Sequence, residues 1–288
     1  MNHIICYSGG HSSALVAIEV ARAFPDDNVI LLNHDINSNV EHEDIKRFKR
    51  EVSEYLDIPI TYANYDGNNS KALPDQFEVA IERNAFKVRN GSELCTWALK
   101  TNPFDKFLKA NFPSSGDKPR DDVIIYYGFD AGETKRITRR SGILGAQGYK
   151  TDYPLAVWKK RTIASTEDIG IDPPMTYQKF KHANCVGCLK GGKQHWYVVF
   201  CERPDIWEKA KQTEEEIGYT IIYGTSLIEL EADFTRMKEL GIPPTEHINP
   251  SKFWADARRK LKDQNQNEFI LKVLELGDDD EKPCECVI

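Results

Sequence analysis

The chain has 288 residues, and its 38 basic and 45 acidic side chains give a formal net charge of −7. This acidic balance argues against a duplex-DNA binder that depends on global charge, although a local basic cleft stays open. No apolar stretch is long enough to span a bilayer, so no membrane partner is expected. The chain enters an apolar segment without a basic leader, which predicts a cytoplasmic protein.

The first predicted elements are a strand at 4–7, a loop with the sequence Ser8-Gly9-Gly10-His11-Ser12-Ser13, and a helix at 14–23. Such a loop is typical of phosphate binding, because glycines admit an anion close to the backbone and the helix start favours negative charge. Two known phosphate loops are excluded, since no lysine precedes Asp44 and no G-x-G-x-x-G occurs. A plain Gly/Ser turn is the alternative.

The remaining first half alternates strand and helix patterns. Three further apolar runs predict strands, at 29–33, 58–62 and 123–127. Helical spacing of apolar residues predicts helices at 41–56, 75–84 and 96–110. Segment 112–122 has loop composition. The alternation predicts an α/β fold, with a mostly parallel sheet and helices on both faces.

The pattern changes after Trp158, where a cysteine cluster precedes a helical part. Helices are predicted at 195–217, bent or restarted at Pro204, and at 227–240. The predicted division is an α/β nucleotide-binding domain at 1–170, a cysteine segment with a helical part at 171–276, and a flexible acidic tail at 277–288.

Polar residues follow three predicted strands, namely Ser8, His34-Asp35 and Gly128-Phe129-Asp130. Ligands of parallel sheets bind at the carboxyl ends of strands, so one crevice is expected to collect all three groups. Asp35 suits Mg²⁺ or a ribose hydroxyl, and it equally suits the cap of the next turn.

Four later segments extend this pattern in chain order. They are Glu93–Lys100 with Pro103-Phe104, Gly128–Glu133 with Arg136, Arg139 and Arg140, Tyr153-Pro154-Leu155 with Trp158, and Asn184–Cys188 with Gly191–Trp196. Together with the S-G-G-x-x-S loop they resemble the phosphoadenosine phosphosulfate (PAPS) reductase family, within the adenine-nucleotide α-hydrolase (PP-loop) superfamily. The resemblance spans about two thirds of the chain.

The resemblance implies an adenine nucleotide, ATP or PAPS, with Mg²⁺ if it is ATP. The implied nucleotide contacts are Ser8, Gly9, Gly10, His11, Ser12, Ser13, Asp35, Gly128, Asp130, Arg139 and Arg140. The implied catalytic residues are Lys100, Arg136 and Cys286. Independently, arginine forks bind phosphate or sulfate bidentately, although an exposed basic turn is the alternative. Glu133 either pairs with the arginines or helps to hold a metal.

Seven cysteines, an odd number, favour thiols, metal ligands or redox chemistry over a disulfide framework. In family members with an iron–sulfur cluster, a cysteine of the K-x-x-P segment joins a distal C-x-x-C. The resemblance therefore implies a shared metal centre at Cys95, Cys185 and Cys188, as a [4Fe–4S] cluster or, alternatively, Zn²⁺. A pair of thiols without a metal is the remaining alternative. Cys201 and His182 are candidate fourth ligands, and Cys201 also suits a buried core.

Two enzyme mechanisms and one non-enzymatic role stay open. An ATP pyrophosphatase would adenylate a nucleic-acid or small-molecule acceptor, which then receives sulfur from a thiol or persulfide donor protein. In a reductase, a cysteine near the end of the chain would attack the sulfur of an adenylyl sulfate. This chain ends Glu285-Cys286-Val287-Ile288, which resembles the family's E-C-G-[IL]-H motif but lacks its Gly and His. The loop favours the pyrophosphatase, although Ser12 replaces the usual aspartate. The third role is a non-catalytic nucleotide or redox-sensing subunit.

Overall fold

The computed structural model describes residues 1–67, 72–87, 93–116, 118–183 and 185–264. The chain forms two compact units. The first comprises Met1–Leu73 and Thr96–Met175, and the second comprises Pro74–Cys95 and the described residues from Thr176 onward. The division into 1–170, 171–276 and 277–288 stays a prediction, because compactness does not establish independent folding. The predicted tail and Cys286 lie outside the described residues.

The first unit contains a five-stranded sheet in the order β3-β2-β1-β4-β5, and every neighbouring pair is parallel. Its strands are β1 (Asn2–Cys6), β2 (Asn28–Asn33), β3 (Ile60–Tyr62), β4 (Val123–Tyr126) and β5 (Lys150–Asp152). This sheet confirms the predicted α/β fold. Strand β3 begins only after Pro59, which lacks the N–H that a ladder needs. The sequence did not predict β5, a polar edge strand.

Helices account for most of the other described residues. In chain order they are α1 (His11–Ala23), α2 (Glu43–Leu56), α3 (Gln76–Arg83), α4 (Leu94–Thr96), α5 (Asn102–Asn111), α6 (Thr134–Ala146), α7 (Pro154–Val157), α8 (Lys193–Glu202), α9 (Pro204–Ile217), α10 (Leu227–Glu239) and α11 (Pro250–Gln264). The predicted helix at 96–110 is interrupted by a π-helical turn, Trp97–Thr101. Among the described helices, none combines the length and apolarity needed to cross a membrane.

Side chains of the central strand alternate between the two faces of the sheet. Ile5 and Tyr7 pack with apolar residues of α1 and α2, while Ile4 and Cys6 pack with residues of α5 and α6. All four are almost fully buried, and burying an apolar side chain of this size contributes about 1.5–3 kcal/mol. The sheet is therefore covered on both faces, as the sequence predicted.

The helices of the second unit pack around aromatic side chains. Trp196 of α8, Trp207 of α9 and Phe234 of α10 are fully buried, and the ring of Trp207 lies tilted against each of the other two. Helix α8 ends at Glu202 and α9 starts at Pro204, because proline suits the first turn of a helix but not its interior. This confirms the restart predicted at Pro204, whereas α11 was not predicted.

Candidate phosphate site and thiol loop

The loop after β1 leads into an uncapped helix start. Gly10 is the N-cap residue of α1, no side chain caps it, and the first turn carries no acidic residue. Gly9 has a φ of +84°, in the left-handed region that glycine adopts without strain. The Ser13 hydroxyl donates to the Gly10 carbonyl at 2.8 Å. A helix of 13 residues thus directs its positive end toward the carboxyl edge of the central strand.

Gly128 brings the end of β4 against this loop. Strand order reverses between β1 and β4, and in such sheets the crevice opens at the carboxyl ends of that pair. A Cβ atom at Gly128 would lie only 3.0 Å from Ser12 C and Ser13 N. Because glycine has no Cβ atom, the backbone after β4 can approach the backbone of the loop that follows β1.

Asp35, after β2, lies in a buried cluster of charges. Its Oδ1 atom is 3.0 Å from Nζ of Lys46 and 3.2 Å from Nζ of Lys49. Lys49 also pairs with Glu41 at 3.1 Å. Burial would raise the pKa of Asp35, but the two ammonium groups hold it below its ordinary value. Two lysines thus already balance this carboxylate, and its predicted role toward Mg²⁺ stays a prediction.

His34 is a buried histidine with an unused acceptor. Its Nδ1–H donates to the Ala63 carbonyl, so Nε2 carries the lone pair, and Nε2 is buried without a hydrogen-bond partner. Burial, together with the nearby charge of Lys100, lowers the pKa of His34 to about 4. Lys100 is itself 9% exposed. The neutral ring is therefore suited to accept a hydrogen bond from a ligand N–H or O–H.

The segment after β4 orders an arginine over an aromatic ring. Asp130 Oδ1 accepts a hydrogen bond from the Gly132 N–H at 2.7 Å, and Glu133 Oε2 accepts one from the Asp130 N–H at 3.1 Å. Glu133 also pairs with Nη1 of Arg136. The guanidinium of Arg136 lies 4.3 Å above the Phe129 ring, and its Nη2 is buried without a hydrogen-bond partner. Such an unused donor suits an anion.

The other two predicted arginines differ in position. Arg140 lies 5.6 Å above the ring of Tyr127, which stacks on Tyr153. Arg136 and Arg140 are four residues apart and share one helical face, whereas Arg139 is exposed. The structure therefore brings two of the three arginines onto the aromatic stack at the ends of β4 and β5.

His11 of the loop holds a neighbouring turn. Its Nε2 accepts the Thr166 N–H at 3.2 Å and lies 3.3 Å from the Ser165 hydroxyl. Burial lowers the pKa of His11, which favours the neutral ring that this acceptor role requires. The side chain of His11 thus contributes to loop structure, and a contact with nucleotide stays a prediction.

The second unit contains Cys95, Cys185 and Cys188, all three half-buried. Within the described residues, however, no group of three or more His, Cys, Asp or Glu side chains is arranged to hold a metal ion. The Cys185-Val186-Gly187-Cys188 segment, called the thiol loop below, supplies two soft donors close together in sequence. Cys201 is half-buried, and partial burial raises the pKa of its thiol, so it does not reach the fully buried core position that its apolar neighbours suggested.

The sequence predicted no site role for Lys49, His195 or Glu246, although His195 lies within the motif segment Gly191–Trp196. Lys49 had a local signal, because it falls within the stripe of buried residues on α2 that includes Ile45, Phe48 and Val52. A lysine inside an apolar stripe needs a buried partner. His195 and Glu246 form a hydrogen bond across 51 residues, and local patterns carry no signal for such a distance.

The fold defines an all-parallel α/β protein in which a glycine-containing loop after β1 leads into an uncapped helix start. Among curated proteins, the chain is similar to the uncharacterized nin region protein ORF290 of Escherichia phage lambda, with 25% identity over 219 residues, covering 67% of this chain and 68% of that protein. No protein-family model matches the chain, and no solved structure matches it significantly. Membership of the PAPS reductase family therefore stays a prediction.

Proposed function

We propose that this chain is an adenine-nucleotide enzyme of the PAPS reductase family that uses ATP for sulfur transfer. The observation that carries the proposal is the uncapped start of α1 behind Gly9, at the reversal of strand order, with Gly128 against it. This arrangement suits the pyrophosphate of a nucleotide, because backbone N–H groups and the helix dipole both favour an anion there.

The proposed reaction has two displacements. An oxygen of the acceptor attacks the α-phosphorus of ATP, the bond to the β-phosphate oxygen breaks, and pyrophosphate leaves. The terminal sulfur of a persulfide on a donor protein then displaces AMP from the adenylated acceptor, which is a nucleic acid or a small molecule. A thiol then cleaves the S–S bond of the resulting mixed disulfide, so that the acceptor keeps one sulfur and the donor leaves as a disulfide with that thiol. Arg136 and Arg140, ordered over the aromatic stack, are suited to balance phosphate charge. Lys100 is proposed to assist, and Mg²⁺ accompanies the phosphates.

The proposal includes a thiolate metal site at the thiol loop, with Cys95 as a third ligand. Thiolates bind soft metals, so the donor chemistry suits a [4Fe–4S] cluster or Zn²⁺. The described residues fit this group only in part, since they form no three-ligand arrangement. Such a group would supply sulfur-carrying or structural chemistry, and no step of the proposed reaction depends on it.

A reductase of adenylyl sulfate is the second candidate, favoured by Glu285-Cys286 near the end of the sequence. These residues lie outside the described part of the chain. In that reaction a Cys286 thiolate attacks sulfur, releases the adenosine phosphate and leaves an S-sulfocysteine, which a second thiol resolves to sulfite and a disulfide. A non-catalytic nucleotide or redox-sensing subunit is the third candidate.

Turnover assays with the anaerobically purified full-length chain separate the three. One arm supplies ATP, Mg²⁺ and a persulfide donor, and the other supplies PAPS or adenylyl sulfate with a dithiol. We expect pyrophosphate release that survives Cys286→Ser and is lost in Gly10→Val. Sulfite release that is lost in Cys286→Ser would instead establish the reductase. Nucleotide binding without either product would favour the sensing subunit.

A further inference from the structure

The segment that follows α7 is anchored on both sides of a short basic stretch. The indole N–H of Trp158, which packs against the core, donates to Asp152 Oδ2 at 3.0 Å. The N–H groups of Thr162 and Ile163 donate to Oε1 of Glu19, a residue of α1 that is 2% exposed, at 2.5 and 3.1 Å. The three residues between these anchors are exposed and form what is called the basic loop below, Lys159-Lys160-Arg161. Three adjacent cations are therefore presented by a backbone that the surrounding unit holds in place.

Arg22 adds a fourth cation beside the basic loop. It is exposed and lies in the last turn of α1. Its Nη1 atom donates to Thr162 Oγ1 at 2.6 Å, and its Nη2 atom donates to the Tyr55 hydroxyl at 2.7 Å. Both acceptors are uncharged hydroxyls, so these bonds fix the guanidinium next to the loop without neutralising its charge. Four positive charges therefore share this part of the surface, in a chain whose formal net charge is −7.

The carboxylates next to the basic loop in the fold accept other hydrogen bonds. Glu19 is buried beneath Thr162 and holds the backbone there. Asp168 Oδ2 accepts the N–H groups of Ala164 and Ser165 at 2.8 and 3.1 Å, and the Ser165 hydroxyl donates to Glu167 at 3.1 Å. Within the described ranges, no carboxylate forms an ion pair with a cation of the basic loop. An exposed group of like charges in this state attracts anions from solution.

The basic loop lies at the opposite end of α1 from the proposed phosphate loop. Near the start of the helix, Thr166 donates its N–H to His11. Near the end of the helix, Thr162 contacts Glu19 and Arg22. With a rise of about 1.5 Å per residue, Arg22 lies roughly 16 Å along the axis from His11. The phosphates of one nucleotide held at the helix start therefore do not reach the basic loop, and an anion bound there is a separate group.

We propose that the basic loop and Arg22 bind the phosphate backbone of a nucleic acid, and that this nucleic acid is the acceptor of the sulfur transfer. The second half of the inference rests on the function proposed above. A nucleic acid carries a phosphate at every nucleotide, so one strand can contact several cations here and still extend toward the start of α1, which a small-molecule acceptor cannot do. Lysine and arginine contacts of this kind position a strand without reading its sequence.

The experiment measures the binding of labelled single-stranded DNA, and of RNA with the same sequence, to the full-length chain by fluorescence anisotropy at a series of salt concentrations. The basic-loop variant combines Lys159→Gln, Lys160→Gln and Arg161→Gln, which leave the anchors of the loop intact. We expect its affinity at low salt to fall by about tenfold or more. The slope of log affinity against log salt is expected to become shallower by about two, because fewer counterions are released when phosphate contacts are lost.

A matched control removes the same charge from other places on the surface. It combines Lys106→Gln, Lys150→Gln and Arg259→Gln, three exposed cations that each pair with an aspartate. The net charge changes equally in the two variants, so a response to overall charge alone would be the same in both. We expect the control to bind DNA and RNA within about twofold of the parent protein. A charge-retaining variant, with Lys159→Arg, Lys160→Arg and Arg161→Lys, is expected to keep most of the affinity.

Equal losses in the basic-loop variant and the matched control would overturn the proposal, and so would a parent protein that binds neither DNA nor RNA. Binding to phosphatidylserine vesicles in place of nucleic acid, lost in the basic-loop variant, would assign the surface to a membrane and refute it as well. ATP affinity and pyrophosphate release are measured on the same variants. If neither is detected in the parent protein while nucleic-acid binding still depends on the basic loop, the binding surface stands and the proposed enzymatic function fails.

Discussion

The aliphatic stem of Lys49 lies directly against Gly9, the left-handed residue of the proposed phosphate loop. A Cβ atom at Gly9 would be 2.7 Å from Cγ and 2.8 Å from Cδ of Lys49. The ammonium of the same side chain is buried between Glu41 and Asp35. One side chain therefore links the charge cluster after β2 to the conformation of the loop after β1.

This contact predicts different effects for two neighbouring lysines. Lys49→Ala removes the stem that supports Gly9, whereas Lys46→Ala removes charge from the same carboxylates, Asp35 and Glu41. We expect Lys49→Ala to weaken ATP binding about tenfold more than Lys46→Ala, a difference of about 1.4 kcal/mol. Titration calorimetry with ATP and Mg²⁺ measures the affinities.

Both variants are expected to lower the free energy of unfolding, Lys49→Ala by up to about 3 kcal/mol, because a buried pair loses one partner. Binding is therefore measured well below the unfolding temperature. Equal losses of affinity in the two variants would show that the charge cluster, and not the stem of Lys49, supports the loop.

Gly128 gives a prediction for the other side of the loop. In Gly128→Ala the new methyl group meets the backbone of Ser12 and Ser13 at 3.0 Å, so either the loop or the end of β4 must shift. We expect ATP affinity to fall by about tenfold or more, since phosphate binding depends on the positions of these N–H groups. Equilibrium binding of a fluorescent ATP analogue provides the measurement.

Gly142→Ala is the matched control. Gly142 lies in α6, and a Cβ atom there meets nothing within 4 Å. Alanine within a helix is expected to raise the free energy of unfolding by about 0.5–1 kcal/mol and to leave nucleotide affinity unchanged. An unchanged affinity in folded Gly128→Ala would argue against a phosphate site at the start of α1.

The sequence predicted what is encoded locally. Strands β1 and β4 are apolar runs buried on both faces, and the loop at 8–13 lies between a strand and a helix, so neighbouring residues suffice to recognise them. Strand β5 was not predicted because it lies at the edge of the sheet and its three residues, Lys150, Thr151 and Asp152, are polar. Its place depends on pairing with β4, which no local pattern reveals.

The site was predictable in part for the same reason. The loop, Gly128 and Arg136 follow motifs in chain order. The partners of Asp35 are Lys46 and Lys49 of α2, which lie 11 and 14 residues further along the chain. Their contact with Asp35 depends on how α2 packs against the sheet, which the local sequence does not reveal. The three cysteines illustrate the opposite case, because a motif linked them although the described residues show no three-ligand group.

Asp35 predicts a pH dependence of stability. Burial opposes its charge, yet Lys49 and Lys46 hold the folded-state pKa below the ordinary value of 3.8. The carboxylate of Asp35 therefore binds a proton more tightly in the unfolded chain than in the folded one. Its contribution to stability is complete above the unfolded-state pKa of 3.8 and is lost as the pH falls through the folded-state pKa. We expect Asp35→Asn to flatten the decline of unfolding free energy below about pH 4.

An exposed aspartate–lysine pair serves as the control for this measurement. Asp66 and Lys106 are 3.4 Å apart, with side chains 58% and 62% exposed, and surface pairs of this kind contribute little. Chemical denaturation between pH 3 and pH 7 is expected to give Asp66→Asn the wild-type slope. If Asp35→Asn retained that slope as well, the buried pair would not be the source of the acid sensitivity.

The last prediction concerns the proposed metal ligands. Cys185 and Cys188 lie on one short loop, whereas a sequence motif alone links Cys95 to them, so the metal content of single variants separates the two contributions. In protein purified anaerobically, we expect iron and labile sulfide, with a sharp loss in Cys95→Ala, Cys185→Ala and Cys188→Ala. Cys201→Ala removes a half-buried thiol of raised pKa and is expected to retain the metal. A loss of metal in Cys185→Ala and Cys188→Ala alone would exclude Cys95 as a ligand. Stoichiometric zinc in place of iron would refute the cluster but keep a metal site shared by the three cysteines.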